Sequence, residues 1–155
     1  MKTRARDIMS TDYETLSPNL PISEAVKRFR QASAKGRKIF GMMVTDESGR
    51  LVGMLSMYDI LLFMRPKHVH IWGLMEDVDL EGMMEMACQR ARSVRVGDIM
   101  TTEVITVSPD THLLRVMDIM IKKHIRRLPV LEDGKIRGIL YISDLFYELL
   151  EELSQ

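Results

Sequence analysis

Two aspartates, Asp59 and Asp144, fall where predicted helices begin, and each has a hydroxyl close by: Ser56 three residues before Asp59, Ser143 immediately before Asp144. A serine followed three residues later by an acidic residue is a capping signature, in which hydroxyl and carboxylate satisfy each other's backbone N–H groups. A helix start also presents unpaired N–H groups to a phosphate, so capping and ligand contact are compatible roles. Arg126-Arg127 offer planar forks of donors suited to phosphate. Together with Lys122, Lys123 and His124 the same pair also reads as a solvated basic edge.

Other reactive side chains lead to less. His68 and His70 sit two apart on an extended stretch before Trp72, but a metal ion wants a further convergent ligand. The spacing brings none of Glu76, His112 or His124 near, so this stretch reads as packing at an interface. Cys88 is the single cysteine, which rules out an internal disulfide framework. It lies on an apolar helical period and reads as a small buried residue rather than a reactive thiol. There is no phosphate-cradling glycine loop, zinc-protease helix motif or serine nucleophile elbow, and no catalytic grouping emerges.

The bulk numbers set the frame. The 155 residues are 46% hydrophobic, enough for one ordinary core or two small units. The 22 basic and 22 acidic residues balance, so no overall field draws the molecule to nucleic acid or an anionic membrane. No apolar run approaches the ~18 to 20 residues that span a bilayer, and the charged Met1–Arg6 opening is not followed by the apolar stretch of a secretory signal. A cytoplasmic setting is the expectation. The 14 methionines, Met42-Met43 and Met83-Met84 among them, read mainly as adaptable core filling.

The elements that must position these groups occur twice. Asp7-Ile8-Met9 returns as Asp98-Ile99-Met100 and Ser17-Pro18 as Ser108-Pro109, both displaced by 91 residues, whereas Gly53 and Asp59 return as Gly138 and Asp144, displaced by 85. The first copy therefore carries a six-residue surplus, around Ser33–Lys38 and the Thr45–Ser48 turn. In the second copy a β-branched run, Val104–Val107, predicts a strand. Leu113, Leu114, Met117, Met120 and Ile121 predict a helix. Leu128–Leu131 and Ile136–Tyr141 around Glu132-Asp133-Gly134 predict a hairpin, and a last helix begins near Ser143-Asp144. The first copy follows suit with Glu14–Leu16, Ile22–Gln31, Gly41–Thr45, Leu51–Leu55 and Tyr58–Met64. The fold class is α/β (α+β): two β-α-β-β-α repeats packed with pseudo-twofold symmetry, over residues 1–64 and 95–155. Residues 65–94 form a linker with an amphipathic helix carrying Leu80, Met83, Met84, Ala87, Cys88 and Ala91 on one stripe.

These residues resemble a pair of CBS domains, the cystathionine-β-synthase-type tandem called a Bateman module. The second copy carries the pattern in Asp98–Thr101, Thr106–Pro109, Ile125–Val130 and Gly138–Asp144; the first departs at Met43, where the family usually has proline. The resemblance implies a regulatory sensor, not an enzyme, that binds AMP, ADP, ATP or S-adenosylmethionine in clefts between the repeats and signals to a partner protein. It requires no further cofactor. Each cleft would combine the Ser-Pro segment of one repeat with the helix-start aspartate of the other: Asp59 with Thr106–Leu113, and Asp144 with Leu16–Ile22.

On that reading Asp59 and Asp144 accept the ribose hydroxyls, assisted by Ser56 and Ser143. Arg126 and Arg127 face the phosphates, and the adenine lies among Ser17, Leu20 and Ile22 in one cleft and by Ser108 and Leu113 in the other. The aliphatic residues also read as core. The whole is expected to be a stand-alone homodimer. The alternative is a ligand-free scaffold that assembles or docks another protein through Val69–Leu74 and the Met83 helix; nucleic-acid binding through Lys122, Lys123, Arg126 and Arg127 is a weaker third reading. Because only the Asp59 cleft receives the two arginines, Asp59→Ala should weaken phosphate-bearing adenine ligands more than Asp144→Ala. Calorimetric titration of both variants checks this, and equal losses would contradict it.

Overall fold

The computed structural model describes residues 2–36, 38–66 and 80–155. The His68–Trp72 stretch and the first half of the linker lie outside these residues. In chain order the elements are α1 (Ala5–Ile8), β1 (Thr15–Leu16), α2 (Ile22–Ser33), β2 (Gly41–Thr45), β3 (Leu51–Ser56), α3 (Met57–Met64) and α4 (Leu80–Ser93). They continue as α5 (Val96–Ile99), α6 (Leu113–Lys123), β4 (Arg127–Glu132), β5 (Lys135–Tyr141) and α7 (Ile142–Leu153). The expected mixed α/β class is present, and the order of elements recurs in the second copy except for its first strand.

The chain gathers into two compact units that do not follow the linear order of the repeats. One contains Met1–Glu14, Glu47–Leu51 and Glu103–Gln155; the other contains Thr15–Asp46 and Val52–Thr102. The lead-in to each repeat, ending in its Asp-Ile-Met sequence, is thus built into the unit that holds the other repeat's hairpin.

In the first unit β4 and β5 pair antiparallel from Arg127↔Tyr141 to Glu132↔Lys135, with a bulge between Val130 and Leu131. Asp133 and Gly134 join them with φ of 53° and 77°. Two left-handed residues in succession give the mirror-image turn whose twist matches a hairpin, and Asp-Gly is the pair that tolerates it. Ala5, Leu113, Val116, Met120, Leu128, Val130, Leu140 and Leu145 are buried together. Ala5, from the opposite repeat's lead-in, is 0% exposed.

The second unit is the counterpart. Its strands lie in the order β1-β2-β3, with β1 parallel to β2 through Thr15↔Met43 and Leu16↔Val44. Leu16, Ile22, Ala25, Phe29, Met42, Val44, Leu55, Ile60 and Val96 are its core, and Val96, again from the other lead-in, is 0% exposed. The helix α4 packs on α2 and α3. Ala87 and Ala91 are small enough to let it approach, while the Arg90 guanidinium donates to the Phe63 carbonyl at 3.3 Å and lies over the Phe63 ring.

Two local expectations are corrected. Val104–Val107 is not a strand. Among the described residues it makes one parallel bridge, Val107↔Val130, through Val107 N–H to Pro129 C=O (3.1 Å) and Leu131 N–H to Val107 C=O (2.8 Å). Extending that ladder toward Ile105 needs an N–H from residue 129, and proline has none. The first repeat keeps an amide there, on Met43, and its strand forms. Cys88 is exposed, not buried: the covered stripe of α4 runs through Ala87 and Ala91, leaving Leu80, Met84 and Cys88 outward.

Both lead-ins press on a glycine. Ser10 bridges Ile139, and Thr101 bridges Met54. A Cβ on Gly138 would stand 2.7 Å from the Ser10 carbonyl oxygen, whereas one on Gly53 would meet first the Met100 sulfur at 2.5 Å, then the Thr101 carbonyl at 3.0 Å. A thioether can swing aside; a carbonyl fixed by hydrogen bonds cannot. Gly138→Ala should therefore cost about 1–3 kcal/mol, in the range of overpacked cores, and more than Gly53→Ala, as measured by the midpoint of urea unfolding.

Candidate functional site

The two Ser-Pro segments are shaped by the lead-ins that cross them. In the second unit, Val96 N–H donates to Leu20 C=O (2.8 Å), Gly97 N–H to Pro18 C=O (2.8 Å) and Ile22 N–H to Val94 C=O (2.9 Å). The first unit repeats this with Ala5 to Thr111 (2.9 Å), Arg6 to Pro109 (3.0 Å) and Leu113 to Thr3 (2.8 Å). Arg6 is also ion-paired with Asp110. The carbonyls beside each Ser-Pro are thereby committed to the fold. The aspartates of the repeated Asp-Ile-Met hold the lead-ins' own short helices: Asp7 accepts from Arg4 N–H at 2.9 Å, and Asp98 from Arg95 N–H at 3.2 Å.

What remains near each turn is hydroxyl. Ser17 is exposed, and its Oγ accepts from Asn19 N–H at 3.3 Å. Ser108 is exposed and shares a hydrogen bond with the Thr111 hydroxyl at 3.1 Å. Leu20 is half-buried against the core. Ile22 and Leu113 are only 2% and 6% exposed; each is the first residue of its helix and belongs to its unit's core, so packing is their evident work.

Asp59 is a well-defined polar centre. Ser56 caps α3, its Oγ accepting from Asp59 N–H at 3.4 Å. In return Asp59 Oδ2 accepts from Ser56 N–H at 2.9 Å and from Ser56 Oγ at 3.1 Å. The other carboxylate oxygen, Oδ1, accepts from the Thr101 hydroxyl at 3.0 Å. The carboxylate is half-buried and held in one orientation by donors on both oxygens. Sequence reasoning finds Ser56 and Asp59 but misses Thr101, which lies 42 residues away; the sole hint is that Thr101 directly follows the second Asp-Ile-Met.

In the first unit Asp144 is half-buried in the first turn of α7, with Ser143 exposed beside it. Arg127 opens β4 opposite Tyr141 and is half-buried. Arg126 is exposed, and its backbone carbonyl accepts from Ile142 N–H at 2.8 Å, so arginine pair and helix start are tied together. The helix before them, α6, ends with His124 in the left-handed conformation (φ 53°), and Lys122 there pairs with Asp118 at 3.2 Å. Among the described residues there is no grouping of His, Cys, Asp and Glu that would hold a metal ion, and no helix is long and apolar enough to cross a membrane.

This architecture of two interleaved strand–helix units with a helix-start aspartate in each is that of a tandem repeat module. The family model for the CBS domain matches residues 5–66 and 96–151, and the chain belongs to the CBS domain family as a tandem pair. It is 29% identical over 158 residues to the uncharacterized protein MJ1426 of Methanocaldococcus jannaschii, covering 94% of this chain and 90% of that protein. Among solved structures it is similar to CBSX2 in complex with AMP, with a TM-score of 0.71 at 23% identity over 98% of this chain and 99% of that one. It is also similar to the CBS domain pair of protein MJ0100 in complex with 5′-methylthioadenosine and S-adenosyl-L-methionine, with a TM-score of 0.69 at 24% identity over 97% of this chain and 98% of that one. At these identities the structural likeness speaks to the fold.

The Ser56 cap gives a direct check on the described geometry. Ser56→Ala should destabilise the protein by about 1 kcal/mol, the usual cost of a lost N-cap, while Ser56→Thr, which keeps the hydroxyl, should retain most of the stability. Thermal unfolding of the two variants against the parent measures both.

Proposed function

We propose that this CBS pair is a regulatory module that binds an adenine-containing ligand, AMP, ADP, ATP or S-adenosylmethionine, at sites served by Asp59 and by Asp144. Bound as a homodimer, it signals occupancy to a protein partner by favouring one arrangement of its repeats over another. The observation that carries the reading is the Asp59 carboxylate, oriented at a helix start by Ser56 and Thr101. A fixed carboxylate is the acceptor that ribose hydroxyls require, and the adjacent helix start favours an anion.

The remaining roles follow the chemistry. Ser143 assists Asp144; Arg126 and Arg127 neutralise phosphate; Ser17 with Leu20, and Ser108, border the adenine, over Ile22 and Leu113 in the cores. The AMP complex of CBSX2 and the methylthioadenosine and S-adenosylmethionine complex of MJ0100 support an adenosine ligand as the class to test first.

A second reading, a ligand-free scaffold, draws on exposed apolar side chains. Tyr58, Leu61 and Leu62 on α3, and Phe146, Tyr147 and Leu153 on α7, are all exposed. The two readings separate in one experiment, calorimetric titration with the four ligands alongside thermal unfolding. A ligand held at a hundred times its dissociation constant stabilises the folded state by about 2.7 kcal/mol, so the unfolding midpoint should rise with at least one of the four. A midpoint indifferent to all four, with no heat of binding, would favour the scaffold.

A further inference from the structure

A carboxylate oxygen has two lone pairs in its plane, and the hydrogen bonds around Asp59 can be set against that capacity. Oδ2 takes two donors from Ser56, the amide at 2.9 Å and the hydroxyl at 3.1 Å, and is saturated. Oδ1 takes one, the Thr101 hydroxyl at 3.0 Å, which leaves room for one more. Asp59 as the fold holds it can therefore accept a single ligand hydroxyl, although a ribose presents two.

We infer that Thr101 restricts the grip of Asp59 to one ribose hydroxyl, so that the affinity of this site for a vicinal diol is set by competition between the ligand and Thr101. The inference rests on the adenine-ligand reading above and deepens it. Thr101 is well placed to compete. Its backbone is locked to Met54 by two hydrogen bonds, N–H to C=O and C=O to N–H, both 2.9 Å, so β3 holds the residue beside Asp59. In the matching place of the other unit Ser10 donates its hydroxyl to the Asp12 carbonyl at 3.2 Å.

The test compares the full chain with Thr101→Val, which keeps the shape and removes the donor, and with Thr101→Ser, which keeps the donor. AMP, 2′-deoxy-AMP and 3′-deoxy-AMP are titrated calorimetrically into each. Because the Thr101 hydroxyl donates to Asp59, a difference between variant and parent reports on this site. Thr101→Val should bind AMP about tenfold tighter, the worth of one added hydrogen bond to a charged acceptor, while gaining less than about twofold for either deoxy analogue. Thr101→Ser should match the parent. If Thr101→Val binds AMP no more tightly than the parent, or gains equally for all three nucleotides, the restriction by Thr101 is wrong while the adenine site stands. Absence of heat from every nucleotide with every protein overturns both.

Discussion

The constraint on which the rest of this structure depends is a short antiparallel contact made twice, Ser10 on Ile139 and Thr101 on Met54. In each case the strand that leads into one repeat lies against the closing strand of the other repeat's hairpin. The contact favours glycine at 53 and 138: a Cβ at 138 would press on the Ser10 carbonyl, and one at 53 on the Met100 side chain and the Thr101 carbonyl. It places Ala5 and Val96 in cores formed otherwise by the opposite repeat. It also lays α1 and α5 across the Ser-Pro turns and takes up their carbonyls. The repeated Asp-Ile-Met is thus a fastening, with Asp7 and Asp98 closing their own helix starts.

The same fastening shapes the polar centre. Without the Thr101–Met54 bridge the Asp59 carboxylate would have one anchored oxygen, supplied by the Ser56 cap, and the other would face solvent. A single-sided cap is a common way to start a helix. A carboxylate braced on both oxygens by donors from distant parts of the chain is a pre-set acceptor, but each brace also occupies a lone pair that a ligand hydroxyl would otherwise use.

What could be read from the sequence, and what could not, divides by the range of the interactions. Ser56 and Asp59 were legible because capping is local, decided within four residues. The helices and the β4–β5 hairpin were legible because periodicity and Asp133-Gly134 act within one element. Val104–Val107 was misread because a β-branched run is only half of a strand; the other half is a partner with an amide to give, and Pro129 withholds it. Cys88 was misread because Leu80, Met84 and Cys88 form as good a helical stripe as Met83, Ala87 and Ala91, and only the packing on α2 and α3 decides between them. Thr101 was invisible as a partner of Asp59 because nothing local announces which lead-in serves which hairpin. The pairing of lead-ins with opposite repeats became clear only from the hydrogen bonds.

The interleaving has a consequence for how the chain acquires its shape during synthesis. Residues 2–14 leave the ribosome well before Ile139, yet their hydrogen-bond partners and the core that receives Ala5 lie in residues 103–145. Contacts of such sequence separation form late and slowly, so the early segment must stay unpaired until residues 103–145 have been made. Its sequence suits that wait: Lys2, Arg4, Arg6 and Asp7 keep it solvated, and the side chain it buries completely is only Ala5, with Ile8 and Met9 partly covered. The nascent unit containing Leu16 to Leu55 faces the opposite order, since its missing piece, Val96, arrives after the hairpin is complete and can dock onto a surface already made.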